Sequence, residues 1–153
     1  MTTANLTRAL DALQRAGRIK SAWLPGMRSE TGYRCIADDE SWSHPPNATN
    51  TADSGGTNSG ASSNCRLYTP DLTDTATIFC LLALLRESCA ATGAATVTVE
   101  PDDRLSPGTG WNCYAWWPGA RSELIATGPS EAAAIAAAVI AAADEPVGAP
   151  RHA

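Results

Sequence analysis

The stretch that most limits how this chain can fold is residues 69–87. Within it Ile78, Leu81, Leu82 and Leu85 recur at helical spacing, and Phe79, Cys80, Ala83 and Leu84 cover most of the remaining circumference. A helix that is apolar on nearly every side is stable in water only when other elements surround it. Thr73 or Asp74 supplies the N-cap, because either side chain accepts a hydrogen bond from an unpaired amide of the first turn. The rest of the chain therefore has to wrap a central, buried helix.

A repeated stretch says what does the wrapping. Residues 22–30 (Ala-Trp-Leu-Pro-Gly-Met-Arg-Ser-Glu) recur as residues 115–123 (Ala-Trp-Trp-Pro-Gly-Ala-Arg-Ser-Glu), with seven of nine positions identical. Pro-Gly suits the two central positions of a type II turn, since Pro presets its φ and Gly tolerates a positive one. If Leu24 to Met27 form that turn, Trp23 lies opposite Arg28; in the second copy Trp116 lies opposite Arg121. Each corner then offers an indole and a guanidinium on one face of a hairpin. In the second hairpin this register sets Trp117, Ala115, Cys113 and Trp111 toward the core and Trp116, Tyr114 and Asn112 away from it. Type II turns splay tight hairpins, which counts against the register.

Around these features the elements are ordinary. Leu6, Leu10 and Leu13, with Ala9 and Ala16, predict a helix from about residue 4 to 16, ended by Gly17. Residues 18–24 read as a strand, turning into a second strand as far as Ile36. Residues 65–68 and 96–100 read as strands, and 111–117 with 121–127 as the second hairpin. Ser130 caps a last helix from Glu131 to about Ala143, with Ile135 and Val139 as its apolar stripe, and Pro146 ends it. The expected fold is α+β: antiparallel hairpins packed on a buried central helix, with helices at both ends of the chain, as a two-layer or α-β-α sandwich.

With 153 residues the chain fits a single domain, 1–153, with enough length to bury a real core. Hydrophobic content of 44% against 18% charged residues marks it as globular. Two segments stand apart. Residues 43–64 hold no apolar side chain larger than Ala or Pro and read as a flexible polar insertion. Residues 146–153 read as a loose tail.

The net charge of −5 argues against a general nucleic-acid binder. The charge is uneven: residues 1–34 carry six Lys/Arg and two acids, so a basic end on an acidic body is positioned to steer an anion. Met1 to Asn5 does not open a signal peptide, and the apolar run 78–85 is too short to cross a bilayer. Five scattered cysteines without a C-x-x-C pair read as neither a disulfide framework nor a zinc site. The expected location is the cytoplasm.

Residues 17–28 (Gly-Arg-Ile-Lys-x-Ala-Trp-Leu-Pro-Gly-Met-Arg), 70–84 (Pro-Asp-Leu-Thr-Asp-x-Ala-Thr-x-x-Cys-Leu-Leu-Ala-Leu) and 128–132 (Gly-Pro-Ser-Glu-Ala) are similar to small uncharacterised proteins of phages and prophages. Some of these are described as phage α-β-α sandwich proteins. The resemblance covers most of the chain except residues 43–64. It implies a phage-type accessory protein acting in the host cytoplasm, and brings no catalytic residues with it.

Chemistry-bearing residues are sparse. His44 and His152 lie in the insertion and the tail, poorly placed for directed proton transfer. Cys35 or Cys65 with His44 is a conceivable thiol dyad, but a buried inert thiol is the ordinary state of such cysteines. Asp38-Asp39-Glu40 and Asp102-Asp103 are competent to hold a hard cation, but such acids are usually solvated. Gly55-Gly56 leads into no helix and cradles no phosphate. No catalytic residue, metal site or cofactor is expected. The candidates are binding residues: Trp23, Arg28, Tyr114, Trp116 and Arg121. Arg forks match carboxylate or phosphate, and indoles fill partner pockets, so two binding functions compete. The first holds a host protein through a Trp/Arg surface. The alternative holds an anionic small molecule such as a nucleotide. A small enzyme with a reactive Cys or a carboxylate-bound metal ranks last.

Overall fold

The computed structural model describes residues 3–36, 42–43, 68–104, 110–119 and 121–144, with the side chains of Thr3 and Arg121 outside the description. The insertion expected at 43–64, apart from Ser43, and the tail at 146–153 fall outside it. So do three of the four residues expected to form a strand at 65–68.

The fold is α+β. Its elements in chain order are α1 (Thr3–Arg15), β1 (Arg34–Cys35), β2 (Trp42–Ser43), α2 (Thr75–Ala90), β3 (Thr96–Pro101), β4 (Trp111–Trp117), β5 (Arg121–Gly128) and α3 (Glu131–Asp144). β1 and β2 pair as an antiparallel ribbon, and β3-β4-β5 form a three-stranded antiparallel sheet. α3 is the hub of the packing: it lies across all three strands of that sheet and against both α1 and α2.

Local chemistry sets the ends of the helices. Leu6, Leu10 and Leu13 are 1% exposed each, the stripe that commits α1 to the core. Gly17 stops it in a left-handed conformation (φ 71°). The Gly17 and Arg18 amides then donate to the carbonyls of Gln14 and Leu13, the paired bonds of a Schellman stop. Asp74 caps α2 by accepting from the Thr77 amide, and Ser130 Oγ caps α3 by accepting from the Ala133 amide at 3.1 Å.

The expectation of a helix buried on every side is corrected. α2 buries Leu81, Leu82, Leu84, Leu85 and Cys89, but Ala76 and Ala83 are exposed and Phe79 is 62% exposed. The cause is the sheet: helices cover one face of it, and α3 holds the central position there, so α2 packs along one side of the assembly.

The strand expected at 18–24 does not form. Its polar groups find side chains and helix ends instead of a neighbouring strand. Arg18 Nε and Nη2 donate to Ser88 O, and Nη1 to Ala142 O, tying the ends of α2 and α3 together. The Lys20 amide donates to Glu87 Oε1, and the Lys20 carbonyl accepts from Gln14 Nε2. Ile19 and Trp23 are buried from this irregular segment.

β5 passes close under the first turn of α3. A Cβ added at Gly128 would sit 2.5 Å from Ala134 N and 2.8 Å from Ala133 C, both backbone atoms that cannot yield. Gly128→Ala is therefore expected to destabilise the domain by about 1–3 kcal/mol through overpacking. Urea unfolding of this variant checks the figure, and a midpoint unchanged from the parent chain would refute the close approach.

Candidate binding surface

The first Pro-Gly corner folds as expected at its turn and differently beyond it. The Met27 amide donates to Leu24 O at 3.1 Å, and Gly26 takes the positive φ (101°) that a type II turn needs. Met27 to Ser29 then pair with Tyr33 to Cys35, not with the residues before the turn. The Gly26 amide donates to Cys35 O, that of Cys35 to Met27 O and that of Ser29 to Tyr33 O, each at 2.8 Å. The cross-strand pair of Trp23 with Arg28 is thus not made. Trp23 is 3% exposed and packs edge-on against Trp42, ring centroids 4.7 Å apart. Trp42 meets Tyr68 at 5.0 Å, and Tyr68 stacks on Tyr33 at 5.4 Å. Burial of this large aromatic among others outweighs the modest gain of an exposed indole–guanidinium contact.

Arg28 is engaged elsewhere. Its Nε and Nη2 both donate to Asp71 Oδ2, at 2.9 and 2.7 Å. Thr73 donates its amide and hydroxyl to the other oxygen of Asp71. Arg34 grips Asp74 with two nitrogens, Nη1 on Oδ2 at 3.2 Å and Nη2 on Oδ1 at 3.0 Å, and Nη1 also donates to Gly26 O. Thr77 Oγ1 accepts from the Arg28 amide at 2.8 Å and donates to Asp74 Oδ2 at 2.7 Å. Two arginines, two aspartates and two threonines thereby clamp the corner onto the first turn of α2.

The electrostatics follow. The Arg34 fork, aided by the Thr77 amide and hydroxyl, outweighs burial and lowers the Asp74 carboxyl to about 2. Burial pushes Asp71 up, but the Thr73 bonds and Arg28 together leave it below the usual carboxylate range. The hydrogen bond to Asp74 raises Arg34. Within residues 1–34, Arg15 pairs with Asp11, Arg18 donates to two carbonyls, and Arg28 and Arg34 hold the aspartates. The basic end read from composition is largely neutralised by the fold.

The second corner differs from expectation in register. Three residues, 118–120, separate the pair Trp117↔Arg121, and Trp116 lies opposite Ser122. The expected pairing of Trp116 with Arg121 assumed a two-residue Pro-Gly connection; the longer one avoids the splay that a type II turn forces on a tight hairpin. A shift between Cys113 and Tyr114 then leaves Ile125 as an extra residue in β5, so Cys113 faces Ala126.

This register composes the outer face of the sheet, turned away from the described helices. Val97, Cys113 and Ala115 point toward the helices and are fully buried, so the alternate residues of β3 and β4 point away. On that outer face Trp116 stands between Thr96 and Ser122, Tyr114 between Thr98 and Leu124, and Asn112 between Glu100 and Thr127. Trp116 Nε1 donates to Thr98 Oγ1 at 2.8 Å, which lays the indole toward β3. The Tyr114 and Trp116 rings are 6.4 Å apart, and Leu124 is 49% exposed beside them. Asn112 Nδ2 donates to Tyr114 Oη. The face has an aromatic and aliphatic centre, a rim of hydroxyls and an amide, and one carboxylate, Glu100.

Of the five candidate residues, Trp116 and Tyr114 share this face. Trp23 is in the core and Arg28 in the clamp. Arg121 is placed by its backbone pairing opposite Trp117. The two corners do not meet: one is held at the N-cap of α2, while the Trp116 carbonyl accepts from Ala95, beyond the C-terminal end of that helix. The 16 residues of α2 span about 24 Å. The register expected from the sequence sets Ser122 and Leu124 on the core face, opposite Ala115 and Cys113; the observed pairing with Trp116 and Tyr114 turns both outward. The alternation of Thr96, Thr98 and Glu100 is the sequence signal for the rim.

Among the described residues, three thiols are shifted away from the reactive thiolate. Burial pushes Cys89 up to about 11 and Cys113 up to about 12, which keeps both protonated. Burial also raises Cys80, whose Sγ lies 3.7 Å from Pro25 O. Among the described residues no group of three His, Cys, Asp or Glu is arranged to hold a metal ion, and no helix is long and apolar enough to cross a membrane. Comparison of the chain with protein-family models, curated proteins and solved structures gives no match.

Proposed function

We propose that this chain is a phage-type accessory protein that works by binding, and that the outer face of β3, β4 and β5 holds a protein of the host cytoplasm. The observation that carries the reading is the composition of that face: Trp116, Tyr114 and half-exposed Leu124 at the centre, with hydroxyls, an amide and the single carboxylate of Glu100 around them. Protein interfaces have this anatomy, with aromatic anchors in a charge-poor core and a polar rim that excludes water. The phage part of the reading rests on the resemblance of residues 17–28, 70–84 and 128–132.

The anionic small-molecule reading is less well supported. It needs an open guanidinium fork, and the fork of Arg28 is closed on Asp71. On the outer face the ionisable residue is an acid, Glu100, which repels phosphate.

The test is capture from host lysate by immobilised chain, comparing the wild type with Leu124→Arg. The charge at the centre of the face is expected to weaken capture by about thirtyfold or more, the effect of losing a central anchor. Leu124 is exposed, so the variant should keep the unfolding midpoint of the parent. Equal recovery of the same partner by both proteins would defeat the proposal, as would a nucleotide panel in which one member raises the melting temperature of both.

A further inference from the structure

Of the six cations in residues 1–34, Arg8 and Lys20 are the two whose side chains have neither a carboxylate nor a carbonyl partner among the described residues. Arg8 stands on α1 at a groove of about 400 Å³ between α1 and α3. The apolar part of this groove is Ala9, Ala12, Ile140 and Ala143, and Asp144 lines it from α3. Asp144 likewise has no cationic partner among the described residues. Beside the groove lie the half-buried outer positions Ala133, Ala137 and Ala141, and α3 has no polar side chain between its two terminal acids. A helix that faced water on this side would ordinarily carry charge there.

We propose that a second copy of this chain docks on this groove, with α1 and α3 of each copy across α1 and α3 of the other. A two-fold interface has to be complementary to itself. A groove with a cation on one helix, an anion on the other and alanine methyls between them meets that condition. The rotation that brings the copies together sets Arg8 of each against Asp144 of the other. Helices of 13 and 14 residues are about 20 Å long, and the pair is about 20 Å wide, a face of about 400 Å². That is about half of the ~800 Å² per partner of a standard interface, so the two charge pairs have to supply much of the specificity. The small side chains let the helices of the two copies approach closely, so the apolar contact and the two charge pairs form together.

Sedimentation equilibrium of the full chain tests this. The wild type is expected to sediment as a dimer. Arg8→Asp sets like charges against each other at both pairs and should raise the dimer dissociation constant by about a hundredfold. The double variant Arg8→Asp/Asp144→Arg should restore it. Both positions are exposed, so neither change endangers folding, and circular dichroism verifies that. A monomeric wild type overturns the proposal, and so does a dimer that Arg8→Asp leaves intact or a double variant that fails to recover. Leu124→Arg should leave the dimer unchanged. A dimer lost in Leu124→Arg but not in Arg8→Asp would place the second copy on the sheet face instead. Capture of a host protein by the sheet face is read separately, so failure of either proposal leaves the other standing.

Discussion

Trp23→Ala is expected to lower the unfolding free energy by about 4 kcal/mol, whereas Trp116→Ala lowers it by about 1 kcal/mol. The two tryptophans occupy the same position of the same repeated stretch, so the contrast comes from their surroundings. Trp23 is 3% exposed and packs edge-on against Trp42. Its removal opens a cavity in an aromatic cluster that also holds Tyr68 and Tyr33. Trp116 is half-buried on the outer face of the sheet, where truncation costs that partial burial and the bond to Thr98. Urea unfolding followed by far-ultraviolet circular dichroism measures both. Equal losses would mean that the two copies are packed alike, contrary to the structure. Trp116→Ala should instead show its larger effect in partner capture.

The second large effect belongs to Asp74. Asp74→Ala removes the N-cap of α2, the acceptor for the Arg34 fork and one acceptor of the Thr77 hydroxyl, which keeps its bonds with Arg28. A cap alone is worth about 1 kcal/mol, and a charge-assisted pair left without its anion adds about 2 kcal/mol, so a loss of about 3 kcal/mol is expected. The same group makes stability depend on pH. Its folded value, about 2, lies below the ordinary 3.8. The stabilisation is therefore complete above the unfolded value and disappears as pH falls through the folded one. In proportion to that shift, the wild type should lose about 2 kcal/mol between roughly pH 4 and pH 2 from this carboxylate, and Asp74→Asn should lose correspondingly less. Asp71, lowered by the Thr73 bonds and Arg28, contributes in the same direction. Parallel acid transitions in wild type and Asp74→Asn would count against the clamp.

What was legible in the sequence was local. Gly17, the Leu24–Met27 turn, Asp74 and Ser130 each act within a few residues of themselves, and each does in the fold what its chemistry suggests. The α+β class followed from the spacing of apolar residues in α2 and from the two hairpin signals. What was not legible depended on partners far along the chain. Nothing near Arg28 reveals that Asp71, 43 positions later, closes on its guanidinium. Nothing near Trp23 announces Trp42. The register of the second hairpin turned on whether Pro-Gly is the whole connection or part of a longer one, and both choices satisfy the same two residues. A shift of one residue there put Ser122 in place of Arg121 opposite Trp116, and Leu124 in place of Glu123 opposite Tyr114, which removed a cation and an anion from the outer face.

The contact between Trp42 and Tyr68 has a consequence for how the chain tolerates change. Their rings are 5.0 Å apart, so two positions 26 residues apart in sequence are held side by side. The entropy of closing such a separation grows only with the logarithm of the number of intervening residues, about 0.6 kcal/mol for each doubling. The aromatic pair thus fixes the distance between two remote points of the chain at a cost that changes little with the length of sequence between them.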